Sequence, residues 1–241
     1  MPARLKAFLL HLAVSACIAL LALLLVFKLW YPTPLHEALG VTHIFLLLLL
    51  IDVILGPLLT LLVGKKTLIM DLTIIATLQL AALGYGIWTV AAGRPAWIVF
   101  NTDRFDVVTV VDIDTRQLDE AQAEYRNAPW SGPDWVGATR PDNIEQRNSI
   151  IFEAVQGGYD LAQRPNLYRP LTEMTQAIQQ RAQPLDKLTD FNDATAVRDA
   201  LQNWPDAAAW VPLMARIKPM VVLLGENKSD VIAIVDLNPW H

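Results

Sequence analysis

Apolar residues run almost unbroken through the first 92 positions, in three stretches at roughly 7–30, 42–63 and 68–92. Each reaches about 20 residues, the length an α-helix needs to cross a hydrocarbon core about 30 Å thick. Beyond residue 93 the pattern shortens and alternates. Strand-type runs stand at 97–100 (WIVF), 105–112 (FDVVTVVD), 211–217 (VPLMARI), 220–224 (MVVLL) and 231–236 (VIAIVD). GENKSD at 225–230 predicts a turn joining the last two into a hairpin. Helix-type segments lie between, roughly 115–126, 142–156, 172–182 and 193–203, with Asp142 and Glu145 spaced as a capping box and prolines punctuating the rest. Strands at both ends and helices in the middle predict an α+β domain, with the N- and C-terminal strands meeting in a mainly antiparallel sheet. The expected organisation is a transmembrane domain at 1–93, with three transmembrane helices, followed by the α+β domain at 94–241.

Charge sharpens this division. Of 241 residues, 54% are hydrophobic, and residues 1–93 carry only Arg4, Lys6, Lys28, Glu37, Asp52, Lys65, Lys66 and Asp71. Residues 94–241 hold the other fourteen Lys/Arg and twenty-one Asp/Glu, a net charge of −7, which argues against nucleic acid as a partner. Arg4 and Lys6 precede the first span and Lys65–Lys66 separate the second from the third, whereas 31–41 has no Lys or Arg. The excess of cations on cytoplasmic loops then predicts a cytoplasmic N-terminus and an α+β domain on the outer side. Trp30 and Tyr31 at the end of the first span, with Tyr85 and Trp88 near the end of the third, fit an aromatic belt at that same outer interface. The single cysteine, Cys17, excludes a disulfide framework. VSAC at 14–17 has the form of a lipoprotein cleavage box, but IALLALLLVF follows it, still membrane-grade, so the first span is expected to remain an uncleaved helix.

The second span contains an anomaly, Asp52 in the middle of HIFLLLLLIDVILGPLLTLLV with Gly56 and Pro57 one turn later. A mid-membrane carboxylate costs about 2.5–3.5 kcal/mol on insertion scales, while each Leu, Ile, Phe or Val returns about 0.3–0.6 kcal/mol, so the span still inserts. Pro57 cannot donate to the preceding turn, and Gly56 permits close approach of a neighbouring helix. Two roles stay open for Asp52: contact with a partner inside the bilayer, or a protonated carboxyl bonded to a neighbouring span. Asp71 lies about 7–8 Å inside the cytoplasmic edge at 1.5 Å per residue, at a depth similar to that of His11, which permits a His11–Asp71 pair or a solvated Asp71. An intramembrane aspartic protease would bring two carboxylates together, but Asp52 is about 9 Å deeper than Asp71 and neither lies in a GxGD context.

Catalytic chemistry is sparse after residue 93. That part has no cysteine, three serines and one histidine, His241, which argues against Ser-His or Cys-His nucleophile systems and excludes a histidine-rich metal site. No phosphate-binding or dinucleotide loop occurs. Asp112 and Asp114 could form a DxD metal motif, although alternation at a strand end places both on one solvated face anyway. Asp103, Arg104 and Asp106 form a local charge cluster between two strands, and Trp130 and Trp135 sit in a long Gly/Pro-containing loop at 128–141, as core anchors or a partner contact. No enzymatic activity, cofactor or metal is expected.

IDVILGPLLTLLV (51–63), LIMDLTIIATLQLAALGYG (68–86), RPAWIVFNTDRFDVV (94–108) and LNPW (237–240) together resemble the type IV pilin accessory proteins of the TfpX/TfpZ type. The resemblance runs in order along most of the chain and is weakest from 115 to 210. It implies a multi-pass inner-membrane protein of Gram-negative bacteria whose outer domain is periplasmic. It also implies a chaperone-like role, stabilising a cognate type IV pilin or promoting its assembly, with the inner-membrane pilus assembly machinery as a further partner. On that reading the three spans hold the pilin helix in a groove within the lipid bilayer. Gly56 and Gly84 give close approach, Asp52 or Asp71 meets the pilin's polar groups, and the outer domain contacts the pilin head. A membrane-tethered periplasmic sensor, signalling through partner helices, is the alternative.

Overall fold

The computed structural model describes residues 3–62 and 68–240, and the Lys65–Lys66 turn and His241 lie outside them. The chain separates into two compact units, Met1–His36 with Gly40–Gly93, and Glu37–Leu39 with Arg94–His241.

The first unit is helical. Helix α1 (Ala3–Leu24) runs into a π-helical segment, Leu25–Trp30, and the short α2 (Leu35–Ala38) leads to the second span. That span comprises α3 (Val41–Leu50), a π-helical turn (Ile51–Leu55) and α4 (Gly56–Leu62), and α5 (Leu68–Ala92) is the third. All three spans are long and apolar enough to cross a membrane. The second packs against both others, α1 lying along α4 and the π turn, and α5 along α3 and α4. Each buries a narrow stripe: Ser15, Ala19, Ala22 and Val26 on the first, and Phe45, Leu49, Asp52, Gly56 and Thr60 on the second. On the third the stripe is Leu83, Gly86 and Val90. Spacings of three and four residues keep each stripe on one face. Around these seams Leu10, Leu21, Leu47, Ile69 and Leu78 remain exposed, as side chains that face lipid tails do. Tyr31 Oη closes one end of the unit by donating to the Val90 carbonyl, at 2.8 Å.

The second unit is an α+β domain built on a curled mixed sheet. The strands are β1 (Pro95–Asn101), β2 (Arg104–Thr109), β3 (Asp134–Ala138), β4 (Tyr168–Pro170), β5 (Gln183–Pro184), β6 (Ala209–Met214), β7 (Met220–Leu224) and β8 (Val231–Val235). Their order is β4-β3-β1-β2-β6-β7-β8, with β5 paired to β6. Every residue of β1 is buried, as its unbroken apolar run requires of a central strand. The predicted hairpin across 225–230 forms, β7 and β8 pairing antiparallel. The N- and C-terminal strands do meet, but in parallel rather than antiparallel register, Phe105 opposite Leu213 and Asp106 opposite Met214. β1 likewise pairs in parallel with β3.

Other differences have local causes. The strand expected over 105–112 ends at Thr109, where Thr109 Oγ1 donates to Asp112 at 2.6 Å and draws the chain into a tight turn. The segment 115–126 is not a helix but two 3-10 turns, Leu118–Glu120 and Ala123–Tyr125. It is shaped by Tyr125, whose ring meets the edges of Trp97 and Tyr168 at centroid distances of 5.8 Å. Five of the fourteen residues of the supposed loop at 128–141 form strand β3, and its glycine, like the prolines ending β4 and β5, hid these short strands. Helices α6 (Ile144–Val155), α7 (Thr175–Arg181) and α8 (Ala194–Gln202) fall inside their expected ranges. The cap of α6, however, is Asn143 rather than Asp142: its Oδ1 accepts from the N–H groups of Glu145 and Gln146 at 2.8 and 3.2 Å. The buried side chains of this unit include one cluster around Trp97, Val99, Val136 and Tyr168 and another around Leu188, Trp210, Val221 and Leu223.

Candidate functional site

The π turn in the second span explains why an aspartate and a Gly-Pro pair stand so close. In an i→i+5 register the Asp52 carbonyl looks to the N–H of residue 57, which is a proline and has none. A bare carbonyl in a water-free setting costs several kcal/mol, so another donor must come from the side. Gln79 of α5 supplies it: Nε2 donates to the Asp52 carbonyl at 3.0 Å and to Asp52 Oδ1 at 3.3 Å. The amide can reach because residue 56 has no side chain. A Cβ built on Gly56 would stand 1.7 Å from Gln79 Nε2, and the three atoms nearest to it all belong to the Gln79 side chain. Asp52 itself is only 8% exposed.

The first span contributes too. His11 is half-buried and lies near Asp52. Thr60, fully buried on α4, turns its hydroxyl back to the Pro57 carbonyl at 2.6 Å. A narrow apolar cavity of about 260 Å³ opens beside this polar seam, lined by Ile44, Leu47, Leu48, Asp52, Gln79 and Leu83. Gly86 is a second point of close approach, where a Cβ would stand 1.8 Å from Leu48 Cδ1, while Gly84 faces open space. Asp71 is half-buried in the first turn of α5.

In the α+β domain, Arg104 Nε pairs with Asp106 Oδ1 at 3.0 Å, and Asn101 Nδ2 donates to Asp106 Oδ2 at 3.2 Å. Burial pushes the Asp106 carboxyl above its ordinary value, against the lowering effect of Arg104. Asp103 is exposed at the tip of the same hairpin, where Thr102 takes a left-handed φ of 64°. Trp130 is exposed under the Arg94 guanidinium, 5.5 Å from its ring centroid, whereas Trp135 lies half-buried on β3 against the edge of Phe105. Asp112 and Asp114 have divided roles. Asp114 is buried in a network with Arg116 and Arg164, and both guanidinium groups also bind Glu153 of α6. Hydrogen bonding from Arg116 to Asp114, and from Arg164 and then Arg116 to Glu153, holds both carboxyl groups below their ordinary values.

Gln79 stands in both seam bonds and was not among the residues the sequence singled out. Its signal was present: an amide in a 25-residue apolar helix needs a partner wherever lipid offers none.

Comparison with known proteins supplies what geometry alone does not. The chain is 30% identical over 236 residues to the fimbrial assembly protein of serogroup I from Dichelobacter nodosus, covering 93% of this chain and 91% of that protein. It belongs to the fimbrial assembly protein FimB family. The D. nodosus serogroup E1 protein is likewise 30% identical over 237 residues, and that of serogroups C1 and C2 is 34% identical over 116 residues, 46% of this chain and 88% of that protein. The family model itself, fimbrial assembly protein FimB, matches residues 1–40, the stretch that carries His11 and Ser15 into the helical unit. No solved structure matches the chain. Its role is accordingly in fimbrial assembly, as a membrane protein with a soluble C-terminal domain.

Proposed function

We propose that this protein is a non-catalytic accessory factor of the TfpX/TfpZ type in the inner membrane of a Gram-negative bacterium. Its N-terminus is cytoplasmic and its C-terminal domain periplasmic, and it stabilises a cognate type IV pilin or promotes its assembly into pili. The observation that carries this reading is the alignment with fimbrial assembly proteins over 93% of the chain. The helical unit supports it chemically. Three spans with exposed apolar flanks and one internal polar seam suit a scaffold that receives a further transmembrane helix, since small residues and paired polar groups are what hold helices together where lipid weakens the hydrophobic drive. Asp52 contributes by keeping the π turn attached to α5 beside the cavity, and Asp71, shallower in its span, suits a polar group near the membrane surface. The inner-membrane pilus assembly machinery is the further partner on this reading.

Deletion of the gene in the native host, followed by shearing of surface pili and immunoblotting of total pilin, tests it. Fewer pili with abundant processed pilin place the protein at assembly or delivery, and loss of pilin itself points to stabilisation. Unchanged pili and pilin refute the accessory role. Asp52→Asn and Asp71→Asn, each accumulating normally and supporting full piliation, would separate the aspartates from it.

A further inference from the structure

The C-terminal domain carries a cleft lined by three arginines, Arg104, Arg140 and Arg147. The cleft, about 280 Å³, lies between the tip of the β1–β2 hairpin and α6, with Thr102, Arg104, Arg140, Pro141, Arg147 and Ile151 among its lining. Arg104 is committed to Asp106. Arg140 crosses to the hairpin tip, Nη2 donating to Thr102 Oγ1 at 2.9 Å, and Arg147 donates Nε and Nη2 to the Pro141 carbonyl at 3.3 and 3.2 Å. On the other side of Pro141, in an adjoining groove that shares Arg140, Arg169 donates Nη1 to its neighbour's carbonyl, that of Tyr168, at 2.6 Å. None of Arg140, Arg147 and Arg169 forms an ion pair with a carboxylate among the described residues. A guanidinium has five N–H donors, so each keeps donors to offer. Asp103 and Asp160 also reach this cleft, but Asp103 is at its exposed rim and Asp160 Oδ1 accepts the Leu161 N–H at 2.7 Å. Arg140, Arg147 and Arg169 thus stand around one proline without a carboxylate partner among the described residues, in a domain of net charge −7, with Asp142 lining the adjoining groove beside Arg140 and Arg169.

The cleft continues onto an apolar face. Helix α6 buries none of its residues fully, and Ile144, Ile151, Phe152 and Val155 are 68, 55, 68 and 81% exposed. Offsets of seven, eight and eleven residues put all four on one side of the helix, and Ile151 belongs both to this stripe and to the cleft lining. The Arg116–Glu153–Arg164 network pins α6 from its opposite side, so the stripe is held outward on a fixed helix.

We infer that this cleft and stripe form a docking site for a polypeptide segment with a carboxylate flanked by apolar side chains. The carboxylate takes the free guanidinium donors of Arg140 and Arg147, and the apolar residues cover Ile151, Phe152 and Val155. The inference rests on the accessory reading above, which makes the segment part of the soluble head of the cognate pilin. Charge complementarity selects this occupant. A helix that lies on a lipid surface carries a cationic polar face, whereas α6 has one arginine, two glutamates and no lysine.

Photo-crosslinking with the full-length protein in pilin-producing cells tests the site. A photoreactive phenylalanine analogue at Phe152, compared with one at exposed Arg198 of α8, is expected to give a pilin-containing adduct at position 152 alone, detected with anti-pilin antibody. Arg140→Glu with Arg147→Glu is expected to lower its yield at least tenfold while the protease-resistant domain persists. Where that pair lowers protein level, Arg140→Gln with Arg147→Gln is used and a several-fold loss is expected. Adducts only with a second copy of this chain, with lipid or with no partner overturn the inference, as does a yield indifferent to both arginine pairs. If deletion of the gene still abolishes piliation in such cells, the site fails and the accessory role stands. If deletion changes nothing, the role itself fails.

Discussion

Gly56 and Gln79 are coupled through a steric fact, and the coupling has a measurable sign. In Gly56→Ala the new methyl would occupy the space of the Gln79 amide, at 1.7 Å from Nε2 and 2.3 Å from Cδ, so the amide must swing away and give up both bonds to Asp52. Polar pairs within membranes contribute about 0.6 kcal/mol on average and up to about 1.7 kcal/mol, so two bonds, one of them to a carbonyl that proline leaves bare, place the loss at about 1–3 kcal/mol. Alanine in a helix returns up to about 1 kcal/mol relative to glycine. Gly56→Ala is therefore expected to destabilise the helical unit by about 0.5–2 kcal/mol in the native background. In a Gln79→Ala background the same substitution meets no amide and should become neutral or stabilising by up to about 1 kcal/mol. The assay is reversible unfolding of the full chain in mild-detergent micelles by SDS titration, followed by helical circular dichroism, for the wild type, both single variants and the double. Additivity to within about 0.5 kcal/mol would refute the bridge as the link between these residues.

Three further outcomes are expected. Asn143→Ala should cost about 1 kcal/mol in the C-terminal domain by removing the acceptor for two N–H groups of α6, while Asp142→Ala should stay within about 0.5 kcal/mol, as thermal unfolding reads out. Arg164→Met should cost about 2–3 kcal/mol, below the full loss of a buried pair because Arg116 still binds both Asp114 and Glu153. For a domain of this size that is a fall in Tm of about 5–10 °C. Asp114 and Glu153 titrate below their ordinary values, so their contribution is complete above the unfolded pKa of about 4 and drains away as pH falls through the folded values. Acid unfolding below about pH 4 should thus be shallower in Arg164→Met, and an unchanged acid limb would show that Glu153 gains nothing from Arg164.

The sequence by itself determined the three long apolar helices, the α+β domain after them and the strands that matter most for the core, because those features depend on local quantities. Twenty apolar residues insert wherever they occur, and PAWIVFN is buried on both faces in almost any sheet that includes it. It also marked Asp52, Gly56 and Pro57 as anomalous, since the cost of a carboxylate or a missing N–H in lipid is legible one residue at a time. Tertiary structure decided what meets them. In helices that are apolar all round, hydropathy cannot separate the stripe that faces a neighbour from the stripe that faces lipid, so the pairing of Asp52 with Gln79, 27 residues away, had no period to announce it. The same holds in the sheet. β2 joins β6 in parallel and β1 joins β3 across long connections, and β3, β4 and β5 are strands of five, three and two residues defined by their partners rather than by their own propensity. The arginine cleft is the last case. Arg104, Arg140, Arg147 and Arg169 are scattered over 66 positions of an acidic chain, and only the return of the 139–142 loop to the hairpin tip collects them around Pro141.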